Sequence, residues 1–83
     1  MVNKDIIIYG STNCPYCVKA KNFFTMLGFD YKYKELSGKE VLDLSKKTGI
    51  DTIPQIFIGG KFIGGWIKTK SLYDEGQLMN MLK

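Results

Sequence analysis

The sequence has two cysteines, and both lie in one four-residue motif, Cys14-Pro15-Tyr16-Cys17. Because a disulfide stabilises mainly by closing a long loop, a bridge across this short one contributes little stability. A tetrahedral zinc site needs four ligands, and covalent haem attachment needs a histidine at the position that Val18 occupies. What remains is a redox-active pair or two unrelated buried thiols, and the spacing near a βαβ pattern favours the redox pair.

Composition narrows the classes of function further. The chain has 83 residues and no histidine, so Ser-His-Asp and Cys-His catalysis are excluded. The 12 basic residues are all lysines and the net charge is +4, which suits small anionic substrates and is too weak by itself to indicate nucleic acid. The longest aliphatic run, residues 6–8, is far shorter than the roughly 20 apolar residues of a membrane span. We therefore expect one domain over residues 1–83. We also expect a cytoplasmic protein that has no signal peptide and no nucleic-acid or membrane partner.

The hydrophobic pattern predicts the element order βαβ, then α, then a β-hairpin, then α. An apolar run over residues 5–10 is typical of a strand covered on both faces, and a helical pattern follows between Pro15 and Gly28. Residues 31–36 alternate between apolar and polar, as a half-buried strand does. A right-handed crossover makes these two strands parallel.

The second half of the chain carries clear boundary signals. Ser37 and Glu40 have the spacing of a capping box, which opens a second helix that Gly49 ends. Gly59-Gly60, between two apolar runs, indicates a two-residue hairpin turn, and Gly76 divides the last helical segment into two pieces. The expected fold is an α/β domain with a four-stranded mixed sheet, helices on its faces and the five phenylalanines in its core.

The position of Cys14 points to chemistry. A polar turn at residues 11–13 places it where the first strand leads into the first helix, at the edge where open α/β sheets bind ligands. The unpaired N–H groups of the first helical turn and the helix dipole favour a thiolate there, and cysteines in such settings have pKa values of about 3.5 to 7.5. We therefore predict that Cys14 is the nucleophile, and that the deeper Cys17 stays protonated until it resolves the mixed disulfide formed by Cys14.

Three motifs taken together resemble a known family. Cys14-Pro15-Tyr16-Cys17, Thr52-Ile53-Pro54 and Gly64-Gly65, at these separations, are similar to those of a dithiol glutaredoxin, and the resemblance covers essentially the whole chain. It implies the thioredoxin fold in its minimal glutaredoxin form and the glutathione-dependent reduction of protein disulfides and glutathione mixed disulfides. It also implies a monomer with no bound cofactor, whose electron donor is glutathione, recharged by NADPH through glutathione reductase. The implied partners are glutathione and disulfide-containing or glutathionylated proteins, with ribonucleotide reductase as one such protein.

The resemblance also implies a glutathione site. Pro54 is expected to be cis and to face the nucleophilic cysteine, and the backbone of Ile53 is expected to pair with the cysteine part of glutathione. Two aromatic residues keep alternatives open: Tyr16 is an exposed turn residue or a groove wall, and Trp66 is a groove wall or packs under the last helix. The residues expected to contact glutathione are Tyr16, Thr52, Ile53, Pro54, Gly64, Gly65, Trp66 and Ile67, and no metal ligand is expected.

Three positions near the expected pocket depart from the family pattern. Ser11 and Asp51 stand where many members carry a basic residue, and Ile67 stands where many carry Asp or Ser. The first two changes remove positive charge that attracts the carboxylates of glutathione, and the third removes a side chain suited to its ammonium group.

Two alternatives stand beside glutathione-dependent reduction, and the departures favour the first of them. One is a glutaredoxin-like redoxin recharged by thioredoxin reductase, and the other is a carrier of a [2Fe–2S] cluster held by two chains and two glutathiones. A separate hypothesis concerns the positive charge missing from the pocket. It proposes that one of three lysines near the motifs supplies part of that charge: Lys19, Lys21 or Lys68.

Overall fold

The computed structural model describes residues 5–11 and 13–82, so Thr12 of the predicted polar turn lies outside the described residues. The described residues form four strands and four helices, in the predicted order. These elements are β1 (Ile6–Gly10), α1 (Pro15–Leu27), β2 (Lys32–Glu35), α2 (Gly38–Thr48), β3 (Gln55–Ile58), β4 (Lys61–Gly64), α3 (Trp66–Asp74) and α4 (Gln77–Leu82). Within the described ranges, no helix is both long enough and apolar enough to cross a membrane.

The strands form one mixed sheet in the order β2-β1-β3-β4. The strand β1 lies parallel to β2 and antiparallel to β3, and β3 pairs antiparallel with β4 through the turn at Gly59 and Gly60. The predicted four-stranded mixed sheet is therefore confirmed, with β1 next to its centre. The chain passes from the carboxyl end of β1 to the start of α1, so the cysteine motif lies beyond the carboxyl end of an inner strand.

One face of the sheet carries the core. Ile6 pairs with Ile58 and Ile8 with Ile56, and all four side chains point into the same buried cluster. Ile63 of β4 and residues of the helices α1, α3 and α4 complete that cluster. Its members are Ile6, Ile8, Ala20, Phe23, Phe24, Ile56, Ile58, Ile63, Leu72, Leu78 and Leu82.

The opposite face is covered less completely than the sequence predicts. Ile7 and Tyr9 on β1 are only half-buried, and so are Phe57 and Phe62 on the hairpin. Edge contacts join these rings: Tyr9 and Phe57 have centroids 5.4 Å apart, and Phe57 and Phe62 have centroids 5.2 Å apart. These side chains stay half-buried because α2, the helix on this side of β1, packs loosely there. None of its own residues is buried. The expectation of five core phenylalanines is therefore wrong for the two on the hairpin, whereas the half-buried Phe29 packs against the core cluster.

A buried amide joins α2 to the site-forming segment. Gln55, at the start of β3, has no exposed surface. Its Oε1 accepts a hydrogen bond from the Thr48 hydroxyl at 2.9 Å, and its Nε2 donates to the carbonyl oxygens of Ile50 at 2.6 Å and Thr52 at 3.2 Å. Because a buried amide without partners is costly, these bonds hold the loop between α2 and β3 in one path. That loop supplies one wall of the groove described next.

Candidate active site

Cys14 is the N-cap residue of α1, as predicted. Its backbone is extended (φ −117°, ψ 101°), and Pro15 occupies the first helical position. The Cys14 sulfur accepts a hydrogen bond from the backbone N–H of Cys17 at 3.2 Å, as the side-chain oxygen of a Ser or Asp cap does. Asn13, just before it, has a φ of 56°, a left-handed conformation that asparagine tolerates and that the polar turn in the sequence did not reveal.

The two cysteines form a disulfide in this structure, with Cα atoms 5.2 Å apart. Cys17 has no exposed surface, whereas Cys14 is only half-buried. An incoming thiol or disulfide can therefore reach Cys14 and not Cys17. This asymmetry fits the predicted roles of an attacking and a resolving sulfur.

Beneath Cys17 the backbone of β1 passes unusually close. A Cβ placed on Gly10 would lie 2.5 Å from the Cys17 sulfur and 2.7 Å from the Tyr33 hydroxyl oxygen, closer than real Cβ contacts come. Glycine is thus required at the end of β1. Burial raises the pKa of Tyr33, and the nearby Glu35 carboxylate raises it further, so the phenol is neutral at physiological pH.

A groove of about 370 Å³ opens beside the cysteine motif. It brings together the Tyr16 side chain, the loop before β3 and the start of α3. Its lining residues are Tyr16, Thr52, Ile53, Pro54, Gly65, Trp66, Ile67 and Lys68. Seven of the eight residues expected to contact glutathione therefore line one groove; their part in binding remains a prediction.

The remaining expected residue, Gly64, lies behind the groove wall. Its φ is 139°, and a Cβ there would lie 2.8 Å from Lys68 Cγ, so the aliphatic stem of Lys68 fills that space. A Cβ on Gly65 would lie 3.3 Å from the Pro54 carbonyl oxygen, which shows how closely the two walls approach. The Ile53–Pro54 bond is cis, as predicted from the resemblance.

The two aromatic alternatives resolve differently. Tyr16 is 51% exposed and lines the groove, so it is both a turn aromatic and a groove wall. Trp66 lines the groove with one part and packs edge-on against Phe23 of α1, with ring centroids 5.4 Å apart. Trp66 is therefore a groove wall, as one alternative held, and it is tied to the core through α1, which neither alternative named.

The three lysines named as sources of charge occupy different places. Lys19 Nζ lies 5.1 Å from the Tyr16 ring centroid, and Lys21 Nζ lies 4.2 Å from that of Tyr33. Lys68 is the charged member of the groove lining. Of the three, Lys68 is thus the one placed to meet a ligand inside the groove.

The four-stranded sheet, the disulfide at the N-terminus of α1 and the cis-proline groove define a thiol–disulfide oxidoreductase with the thioredoxin fold. Comparison with known proteins narrows the class. The family profile of glutaredoxin matches residues 6–63 of this chain. The chain belongs to the glutaredoxin family.

Individual relatives agree with this assignment. Mitochondrial glutaredoxin-2 of Bos taurus is 40% identical over 85 aligned residues, covering 96% of this chain and 54% of the bovine protein. A glutaredoxin of Vernicia fordii is 36% identical over 85 aligned residues, covering 96% of this chain and 82% of that protein. Among solved structures, the buckwheat glutaredoxin–glutathione complex superposes with a TM-score of 0.87 at 32% identity, covering 95% of this chain and 76% of that one. The chain thus spans about half the length of the bovine relative and most of the length of the other two.

Proposed function

We propose that this protein reduces protein disulfides and glutathione mixed disulfides with electrons from glutathione, which NADPH and glutathione reductase regenerate. The observation that carries the proposal is the groove beside Tyr16, formed by the cis-proline loop and the start of α3. A relative of the same fold has been solved as a glutathione complex, which supports the same ligand here.

The reaction follows from the positions of the two sulfurs. The Cys14 thiolate attacks one sulfur of a substrate disulfide, so a mixed disulfide forms and the first substrate thiolate leaves and takes a proton from water. Cys17 loses its proton and attacks the Cys14 sulfur, which releases the second substrate thiolate and forms the Cys14–Cys17 disulfide. One glutathione then opens that bond at Cys14, and a second removes the first as glutathione disulfide. The two electrons that reduced the substrate are thereby replaced.

The ligand fits the groove through backbone and charge. Gly65, which has only main-chain atoms, lines the groove close to the Pro54 carbonyl oxygen, and this suits strand-like pairing of a short peptide with the backbone of Ile53. Lys68 offers a positive charge to a carboxylate of glutathione. It thereby replaces part of the charge that the departures at Ser11 and Asp51 remove.

The electron source is tested by two coupled assays on the same protein. NADPH oxidation is followed with glutathione and glutathione reductase, and separately with thioredoxin reductase, using one glutathionylated peptide as substrate. We expect turnover in the first assay and background in the second. Turnover with thioredoxin reductase alone contradicts the proposal and establishes the alternative redoxin, which the departures at Ser11, Asp51 and Ile67 favour.

The role of Lys68 is tested by Lys68→Met, which keeps the stem over Gly64 and removes the charge. Because the contact is partly exposed, we expect the KM for glutathione to rise about two- to fivefold with little change in kcat. The matched control is Lys70→Met, since Lys70 lies on the same helix but pairs with Asp74 at 2.8 Å and does not line the groove. Equal changes in both variants mean that overall charge matters and the groove lysine does not.

Three finer proposals rest on the family resemblance. The first is that the protein works in the cytoplasm, where glutathione keeps thiols reduced. The second is that it is a monomer, and the third is that ribonucleotide reductase is one of its substrates. Cell fractionation tests the compartment, and size-exclusion chromatography with light scattering tests the monomer. A reconstituted ribonucleotide reductase supplied with NADPH, glutathione, glutathione reductase and this protein tests the substrate. Deoxyribonucleotide formation that does not depend on this protein contradicts that last proposal.

A further inference from the structure

The buried sulfur of Cys17, on α1, and the phenol of Tyr33, on β2, both approach the backbone of Gly10. The place where a Gly10 Cβ would stand is 2.5 Å from Cys17 Sγ and 2.7 Å from Tyr33 Oη. The sulfur and the oxygen are therefore separated by no more than the sum of those two distances. Since Cys17 has no exposed surface, bulk water does not reach its thiol.

Two contacts hold the phenol in this position. The Tyr33 hydroxyl donates a hydrogen bond to the carbonyl oxygen of Ser11 at 3.0 Å, across 22 positions of sequence. The ammonium group of Lys21, one turn after Cys17 on α1, lies 4.2 Å from the centroid of the Tyr33 ring. A phenol has a single hydrogen, so donation to Ser11 leaves the lone pairs of Oη available to an S–H donor.

We propose that Tyr33 is a positioning residue for the resolving cysteine, because its hydroxyl oxygen accepts a hydrogen bond from the Cys17 thiol when the disulfide is reduced. Reduction adds two electrons, and with Cys14 held as the thiolate the pair takes up one proton, which becomes the S–H of Cys17 that meets Tyr33 Oη. The oxidised sulfur has no hydrogen to donate. The contact therefore stabilises the dithiol over the disulfide and fixes the direction of the Cys17 side chain before it attacks.

The variant Tyr33→Phe tests this by removing the oxygen and keeping the ring. The protein is equilibrated in mixtures of 2-mercaptoethanol and its disulfide, and the oxidised fraction is read after acid quenching and alkylation. We expect the equilibrium constant for disulfide formation to rise about two- to fivefold, as loss of one weak hydrogen bond from the reduced form predicts. The buffer contains no glutathione, so failure of the proposed electron donor leaves this result interpretable.

Two comparisons separate positioning from a general effect on the fold. Tyr9→Phe makes the same change on the adjacent strand, where the ring packs against Phe57 on the other side of the sheet, and it should leave the equilibrium constant unchanged. In a Cys17→Ala background, Tyr33→Phe should leave the rate and pH profile of Cys14 alkylation by iodoacetamide unchanged. An equilibrium constant equal to that of Tyr9→Phe overturns the proposal. So does a changed Cys14 profile in the Cys17→Ala background, because Tyr33 would then act on the wrong sulfur.

Discussion

The N-termini of α1 and α2 use the same geometry with different atoms. In α1 the Cys14 sulfur accepts the N–H three residues later at 3.2 Å, and in α2 the Ser37 hydroxyl accepts the N–H of Glu40 at 3.2 Å. The helix α2 closes its end further, because the Glu40 carboxylate accepts the N–H of Ser37 at 2.9 Å. The first turn of α1 has no acidic residue. The positive end of α2 is thus balanced by a carboxylate, whereas that of α1 is left for a thiolate.

The two helices also differ in what holds them to the domain. From α1, Cys17, Ala20, Phe23 and Phe24 are buried, whereas α2 buries none of its residues. The helix that carries the cysteine motif is therefore held by the core, and α2 depends on its caps and on the hydrogen bonds of Gln55. The tightly packed helix is thus the one that positions the Cys14 sulfur.

The largest expected effect comes from removing the atom that distinguishes the two caps. Cys14→Ser keeps a cap acceptor, so the free energy of unfolding of the reduced protein should change by less than about 1 kcal/mol. Loss of the nucleophile should lower disulfide reduction by at least about a thousandfold, measured with a protein disulfide substrate. Retained turnover in this variant contradicts the assignment of Cys14.

The core contrast between the helices predicts a large difference in stability. Phe24→Ala removes a fully buried ring from α1 and should cost about 3–5 kcal/mol. Leu44→Ala removes a half-buried side chain from α2 and should cost about 1 kcal/mol or less. Urea denaturation of both variants measures the difference. Equal costs mean that α2 is packed as firmly as α1.

The cap of α2 should be worth a smaller amount. Ser37→Ala removes the acceptor for the Glu40 N–H and should lower the free energy of unfolding by about 1 kcal/mol. The control is Ser45→Ala in the same helix, whose hydroxyl donates to the Leu42 carbonyl at 2.7 Å and whose loss should be neutral or slightly stabilising. A control that costs as much as Ser37→Ala removes the special role of the cap.

A carboxylate introduced into the first turn of α1 should make its N-terminus resemble that of α2. Tyr16→Glu places that charge one residue before Cys17 in the helix, where it competes with the Cys14 thiolate for the positive end. We expect Cys14 in Tyr16→Glu to be alkylated at pH 7 about two- to fivefold more slowly than in Tyr16→Gln. The introduced glutamine has nearly the size of glutamate and no charge. Identical rates for the two variants show that the open N-terminus does not favour the thiolate.

The smallest expected effect is a pH dependence at the α2 cap. The backbone N–H of Ser37, and then its hydroxyl, hold the pKa of Glu40 below its ordinary value of 4.5. A lowered pKa means that the carboxylate stabilises the fold above about pH 4.5, and that this contribution is lost as the pH falls through the lowered value. Glu40→Gln should be less stable than the parent at pH 7 and should converge with it in acid. A constant difference across that range contradicts the charge-based cap.

The predictions from sequence succeeded where the signal was local. The Cys14 cap, the Ser37–Glu40 box and the break at Gly76 each depend on residues within a few positions of one another, and all three appear as expected. The cis Ile53–Pro54 bond came from the family resemblance, because an ordinary trans proline fits the same residues. The depth of burial on the second sheet face was overestimated, since an apolar run shows what a strand can bury and not what lies over it.

The sequence by itself determined which sulfur caps a helix, which elements form and in what order, because capping and periodicity act through short stretches of backbone. The tertiary structure alone decided that the Tyr33 hydroxyl and the Cys17 sulfur both approach Gly10, and that the stem of Lys68 packs over Gly64 at the groove. The first of these meetings depends on strand register and the second on where α3 turns back over β4. Both are settled by packing between whole elements, which no short pattern in the chain encodes.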